Sequence, residues 1–240
     1  MKVLYLVLIF TVSLIFSGQS QQIGFKDIDE SQVSPWYPNI DLEYQGTYHF
    51  GDSELESTLV IVITSEDSYA QIRSKTWSVA KKQYYYEFRN LDSVKIIENR
   101  FFSSQTKGEF VIYKQDNQMI RTLKVDNPWS EVVEPGNYEL GYKYGSVKRY
   151  YDGDYIKGST ELLTTRELEA LPTAELELLK NEIYARYGMK FSDRNLKKHF
   201  KQKEWYTEQY DDVNQFLTEL EKKNLRSIEA VETRNTAQID

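Results

Sequence analysis

One short stretch of this chain gathers the side-chain types that acid–base chemistry or anion binding would use. Residues 178–191 read LLKNEIYARYGMKF and place Glu182, Tyr184, Arg186 and Tyr187 close together. A carboxylate can act as a general base, a guanidinium can hold an anion, and a phenol can donate a hydrogen bond. Glu182 and Arg186 also have the i, i+4 spacing of an ion pair along a helix. The spacing leaves a catalytic and a structural role open.

The residues around this stretch follow a helical pattern. Thr164 with Glu167, and Thr218 with Glu221, have the spacing of a capping box, which marks the start of a helix. Between these two starts, apolar residues recur at intervals of three and four, as they do on one face of a helix. The pattern predicts an all-α unit over residues 160–235.

This unit resembles a known family, the YARHG domain, which is a bacterial extracytoplasmic module. The resemblance lies in the segment ELLTTRELEALPTAELELLKNEIYARYGMKFSDRNLKKHFKQKEWY and continues through LTELEKKNLRSI. It implies an exported protein in which the module accompanies another domain, and it implies no particular activity. The motif positions, for which we predict a structural role, are Asn181, Glu182, Tyr184, Arg186, Tyr187, Gly188, Phe191, Trp205 and Tyr206.

One position departs from the family motif. Tyr187 stands where the family has histidine. Tyrosine has a reference pKa of about 10 and is a poor base at neutral pH, although it can replace histidine as a flat, hydrogen-bonding group. The substitution therefore favours a structural role for the motif over a catalytic one.

The region before the helical unit has the pattern of β-strands. Residues 41–126 alternate with period two, and the runs are closed by Asn, Asp, Gly or Ser. The pattern predicts an antiparallel meander that forms either a β-barrel-like domain or a β-sandwich. The opening of the region resembles small lipocalin-like barrels. The interior of such a barrel would either be a ligand pocket, which we predict to be lined by Trp77, Tyr86 and Phe88, or be filled by the protein's own side chains.

Two further features concern organisation and charge. Residues 127–159 form either a connector or additional strands, and the sequence leaves this open.

In the helical unit, four basic residues share one predicted helix and could form a stripe that binds an acidic polymer or a glycan, or else a solvated face. These residues are Arg194, Lys197, Lys198 and Lys201.

The first residues predict export from the cytoplasm. Residues 1–20 combine Lys2, an apolar run and small side chains near Ser20, as in a signal peptide cleaved close to that serine. The run is too short for a transmembrane anchor. Residues 21–40 are predicted to form an N-terminal arm. The chain has no cysteine, which excludes disulfides and a lipid anchor on cysteine.

The sequence as a whole predicts an α+β protein in two domains, an N-terminal antiparallel β-barrel-like meander and a C-terminal all-α domain. The net charge of −7 disfavours nucleic acid as a partner. No catalytic, metal or cofactor motif is found, so we expect a non-enzymatic binding role at the cell envelope. A hydrolase that uses carboxylates and tyrosines of the β domain is the alternative, and a structural envelope component is another.

Overall fold

The structure, a computed structural model, describes residues 28–51, 56–79, 82–126, 129 and 138–237. The predicted signal peptide lies outside the described residues. Residues 28–40 of the predicted arm belong to the β domain, because they contribute a short strand and the buried side chain of Trp36.

The described residues of the N-terminal region form one antiparallel sheet of ten strands. The strands are β1 Val33–Pro35, β2 Gly46–Phe50, β3 Ser57–Ile63, β4 Ser68–Ser78, β5 Gln83–Leu91, β6 Lys95–Ile97, β7 Arg100–Phe102, β8 Lys107–Gln115, β9 Gln118–Val125 and β10 Glu139–Gly145. The order across the sheet is β5-β4-β3-β2-β10-β9-β8-β7-β6, and β1 pairs with β8.

The sheet curls into a half-barrel around an aromatic core. Its inner face buries Tyr48, Phe50, Leu59 and Phe110, together with other apolar residues of the same cluster. Among the described strands, β5 and β6 end the sheet without pairing to each other. The predicted antiparallel, barrel-like architecture is confirmed, with the barrel half closed, and the single sheet differs from a two-sheet sandwich.

The region that the sequence left open contains the strand that completes the sheet. β10 lies between β2 and β9 and pairs with both of them. Gly141 of β10 is required there because a side chain at this position would overlap the ring of Phe50. Residues 139–145 are therefore part of the β domain.

The C-terminal region is helical. Its helices, within the part of the chain that the structure covers, are α1 Lys157–Thr160, α2 Thr165–Glu169, α3 Thr173–Ala185, α4 Arg194–Phe200 and α5 Glu219–Ala237. Both predicted capping boxes are confirmed, one at Thr164 and Glu167 and one at Thr218 and Glu221. None of the described helices has the length and apolarity that crossing a membrane requires.

The helices pack on the outer face of the half-barrel. Leu59 to Val62 of β3 are buried on both sides of the sheet. Leu59 and Ile61 face the barrel core, whereas Val60 and Val62 contact a cluster that includes Leu220 of α5. A strand that is apolar on both faces needs a cover on both, and the helical unit supplies the second one.

Candidate functional site

The acid and the arginine of the motif form a buried ion pair at the end of α3. The side chains of Glu182 and Arg186 are 1% and 4% exposed. The Arg186 guanidinium donates to Glu182, to the Asp152 carbonyl at 2.7 Å and to Ser159 Oγ at 2.8 Å. Such a planar fork can serve three acceptors at once, which a lysine ammonium on a flexible stem does less well.

The Glu182 carboxylate holds the loop that enters the helical unit. It accepts hydrogen bonds from the backbone N–H of Asp154 at 2.9 Å and of Tyr155 at 2.6 Å. Gly153 makes this approach possible, because its φ is +117° and an added Cβ would overlap the Glu182 carboxylate. The pair thus binds the loop before α1 to the C-terminal end of α3.

Tyr187, the residue at the histidine position, connects the helices to the sheet. Its hydroxyl donates to Glu221 Oε2 at 2.7 Å and accepts from Gln71 Nε2 at 3.2 Å. Gln71 belongs to β4, and its Nε2 also donates to the Phe216 carbonyl at 2.7 Å. The Tyr150 hydroxyl donates to Gln71 Oε1 at 3.0 Å. One buried glutamine therefore bonds to three segments of the C-terminal half.

The acid at the centre of these contacts is fully buried. Glu221 accepts from Ser159 Oγ at 2.6 Å and from the Thr218 backbone N–H at 2.8 Å, in addition to Tyr187. Burial raises the pKa of the Glu221 carboxyl, and hydrogen bonds from Ser159 and Tyr187 oppose the shift. Burial also raises the pKa of the Tyr187 phenol well above its ordinary value, so this phenol remains a donor.

The remaining motif residues pack around the end of α3. Gly188 ends the helix with φ +76°, and its carbonyl accepts from Gln209 N–H at 2.8 Å. Asn181 bonds only to the Glu177 carbonyl of its own helix among the described residues, and so does not tie two helices together. The others, Tyr184, Phe191, Trp205 and Tyr206, form an aromatic cluster with Phe200 of α4.

A cavity of about 360 Å³ lies between the sheet and the helical unit. Its walls come from β4 and β5, from the turn after β10, from the motif residues at the end of α3 and from the segment that follows α4. The lining includes Arg73, Tyr86, Tyr150, Asp152, Glu204 and Trp205. The cavity thus combines flat aromatic faces with groups of both charges, a composition typical of sites for polar organic ligands.

Arg73 is the basic group of the cavity that no carboxylate of the described residues neutralises. Its guanidinium carbon lies 5.0 Å from the centre of the Tyr86 ring and 4.5 Å from that of Tyr150. Nη1 donates to the Tyr150 carbonyl at 3.3 Å. Among the described residues no carboxylate pairs with it, whereas Arg186 is fully paired with Glu182. The rings position Arg73 so that its other N–H groups remain available for an anion.

The predicted pocket residues lie on the other face of the sheet from the one expected. Trp77, Tyr86 and Phe88 share a face with Arg73, whereas the barrel core takes Ala70 and Ile72 of β4. Side chains alternate along a strand, so odd-numbered residues of β4 and their partners on β5 point outwards. Tyr86 and Phe88 line the interdomain cavity instead of a barrel interior, and Trp77 is 49% exposed.

The basic stripe on α4 is partly neutralised. Lys197 and Lys201 both lie near the carboxylate of Glu208, at 3.5 and 3.3 Å. Arg194 and Lys198 have no ion-pair partner among the residues that the structure describes. Two of the four predicted cations therefore face a protein acid.

Sequence reasoning missed the residues that join the two domains. Gln71 and Arg73 lie at alternate positions with Ala70 and Ile72, so the period-two pattern places them opposite the barrel core. Polar residues at these positions ordinarily indicate a face of the sheet that is exposed to solvent. The sequence does not show that the helical unit covers this face. Glu221 is predicted as a capping residue, and its burial depends on the packing of the helices on β4.

Comparison with known proteins gives one match. Residues 154–233 match the YARHG domain family, over the helices and the entry loop described above. No curated protein and no solved structure matches the chain. The predicted resemblance is confirmed: the C-terminal third of this chain matches the YARHG domain family.

Proposed function

We propose that this protein is an exported, non-enzymatic binding protein of the cell envelope, and that the interdomain cavity is its ligand site. The observation that supports the proposal is Arg73, a guanidinium held between two tyrosine rings without a carboxylate partner among the described residues. Such a group binds carboxylates or other anions through paired N–H donors. The ligand therefore carries an anionic group.

The other groups of the cavity favour binding over hydrolysis. Glu182, Arg186, Tyr187 and Glu221 are committed to hydrogen bonds within the protein. The two free carboxylates at the cavity, Asp152 and Glu204, are exposed. Exposed carboxylates of this kind can accept hydrogen bonds from ligand hydroxyls.

Replacing Arg73 with methionine is expected to weaken the binding of an anionic sugar about tenfold or more, because the variant keeps the volume and loses the charge-assisted hydrogen bonds. D-galacturonate is a suitable probe, and its methyl ester is the neutral comparison. Calorimetric titration gives both affinities.

Arg89→Met is the matched control for this experiment. Arg89 lies on β5 opposite Ile72, so it points to the other face of the sheet, and it is exposed. The control should bind as the unmodified protein does. Equal affinity of Arg73→Met and unmodified protein, or preference for the methyl ester, would reject Arg73 as the anion-binding group.

The export part of the proposal rests on residues 1–20. Deleting them is expected to keep the protein in the cytoplasm of a bacterial host, whereas the complete chain should reach the extracytoplasmic fraction and lose mass at a cleavage near Ser20. Fractionation and intact-mass measurement check both outcomes. An uncleaved chain in the cytoplasm would contradict export.

A further inference from the structure

The β4–β5 hairpin carries a row of aromatic and basic side chains that leads into the cavity. On its outer face Trp77 lies opposite Tyr84, Lys75 opposite Tyr86, and Arg73 begins the cavity. We call these five residues the hairpin row. Since successive residues on one face of a strand are about 7 Å apart, the row is an extended surface and not a single pocket.

The aromatic residues of the hairpin row are largely exposed to solvent. Trp77 and Tyr84 are each 49% exposed and Tyr86 is 40% exposed. The Trp77 and Tyr84 rings meet edge to face with their centres 4.9 Å apart. This contact holds the two rings against each other while about half of the surface of each residue remains accessible to solvent. Clustered exposed aromatic residues of this kind mark interaction sites.

The charge of the row is positive. Lys75 Nζ lies 4.5 Å from the centre of the Tyr84 ring, and Arg73 lies over Tyr86. Neither cation forms an ion pair with any described carboxylate, and the described outer face of β4 and β5 bears no Asp or Glu. This basic face belongs to a chain of net charge −7. A negatively charged ligand would be drawn to this face and repelled elsewhere.

We propose that the hairpin row and the cavity together bind a carboxylated glycan chain, with one end of the chain at Arg73 and the following units along Lys75, Trp77 and Tyr84. The proposal rests on the proposed function, since the cavity holds the end of the chain. Sugar rings present flat C–H faces to aromatic rings, and their carboxylates pair with cations.

The cavity rim distinguishes a glycan from other polyanions. Asp152 and Glu204 line the cavity beside Arg73, and both are exposed. They can accept hydrogen bonds from sugar hydroxyls, which an acidic peptide of glutamates lacks. Single-stranded DNA also stacks on aromatic residues, but the sugars within its chain have no free hydroxyl group to donate to these two acids. A glycan fits the surface best.

Galacturonate oligomers of one, three and six units test the proposal, measured by calorimetry with the mature chain. The hexamer is expected to bind at least tenfold more tightly than the monomer. The double variant Trp77→Ala/Tyr84→Ala should lose this gain and keep the affinity for the monomer, because the cavity is unchanged. Tyr37→Ala is the control, since Tyr37 is 67% exposed and lies on the N-terminal segment before β2. It should bind as the unmodified protein does.

The other possible results of the titrations contradict separate parts of the proposal. Equal binding of monomer and hexamer would overturn the hairpin row and leave the cavity proposal standing. Absence of binding at all three lengths would overturn both. Equally tight binding of the fully methyl-esterified hexamer would reject the role of the cations. Equally tight binding of hexaglutamate or of a thymidine hexanucleotide would reject the glycan assignment. A circular dichroism spectrum and melting curve of the double variant establish that it is folded.

Discussion

Replacing Arg186 with lysine is expected to lower the free energy of unfolding of the mature chain by about 3 kcal/mol. The guanidinium donates to Glu182, to the Asp152 carbonyl and to Ser159 Oγ, and the side chain is 4% exposed. A lysine in its place keeps the charge but cannot reach all three acceptors, so buried acceptors lose their partners. Urea unfolding followed by circular dichroism measures the difference.

Arg194→Lys provides the comparison for this experiment. Arg194 begins α4 on the surface and has no ion-pair partner among the described residues, so its replacement should change the free energy of unfolding by less than about 0.5 kcal/mol. If Arg186→Lys were as stable as Arg194→Lys, the structural role of the motif arginine would be rejected. A role of Arg186 in ligand binding would then be the alternative.

Replacing Tyr187 with phenylalanine is expected to cost about 2 kcal/mol, because the variant keeps the ring and removes only the hydroxyl. The hydroxyl donates to the buried Glu221 carboxylate and accepts from Gln71 of the sheet. Glu221 retains Ser159 and Thr218 as donors, which limits the loss. Urea unfolding again gives the magnitude.

A double-mutant cycle separates the contact between domains from the rest of this effect. Combining Tyr187→Phe with Gln71→Leu should cost less than the sum of the two single changes, since both remove the same hydrogen bond. Tyr184→Phe is the control, because the Tyr184 hydroxyl has no hydrogen bond among the described residues and this variant should be nearly neutral. Strict additivity of Tyr187 and Gln71 would show that the bond does not couple the sheet to the helices.

Local rules account for the parts of the fold that were predictable. The helix starts at Thr164 and Thr218 follow from side chains that bond within four residues, so their sequence spacing is sufficient. The strands follow from alternation, which also depends only on neighbours. The curvature of the sheet and its half-closed form follow from pairings between strands that are distant in the chain. Alternation does not determine these pairings, so the sequence predicts either a barrel or a sandwich.

The candidate site was less predictable because it belongs to neither domain alone. Tyr86 and Phe88 line a pocket, as their aromatic character predicts, but the face of the sheet on which this pocket lies can be recognised only when the helices that cover it are known. Arg73 shows the same difficulty. Arg73 lies in an ordinary alternating strand of the sequence. Its position in the cavity depends on the ring of Tyr150, a residue that follows β10 and is distant from Arg73 in the chain.

The position of β10 also determines how the protein can reach its native state. Strands β2 to β5 and β6 to β9 pair with neighbours in the chain and can form from local hairpins, whereas β10 joins the two groups by pairing His49 with Tyr142. Such non-local pairing carries a loop-closure cost and is slow. The residues that match the YARHG family begin at 154, a few residues after β10. The cavity and the buried tyrosine contact need both the completed sheet and the docked helices, so we expect them to form after the local hairpins.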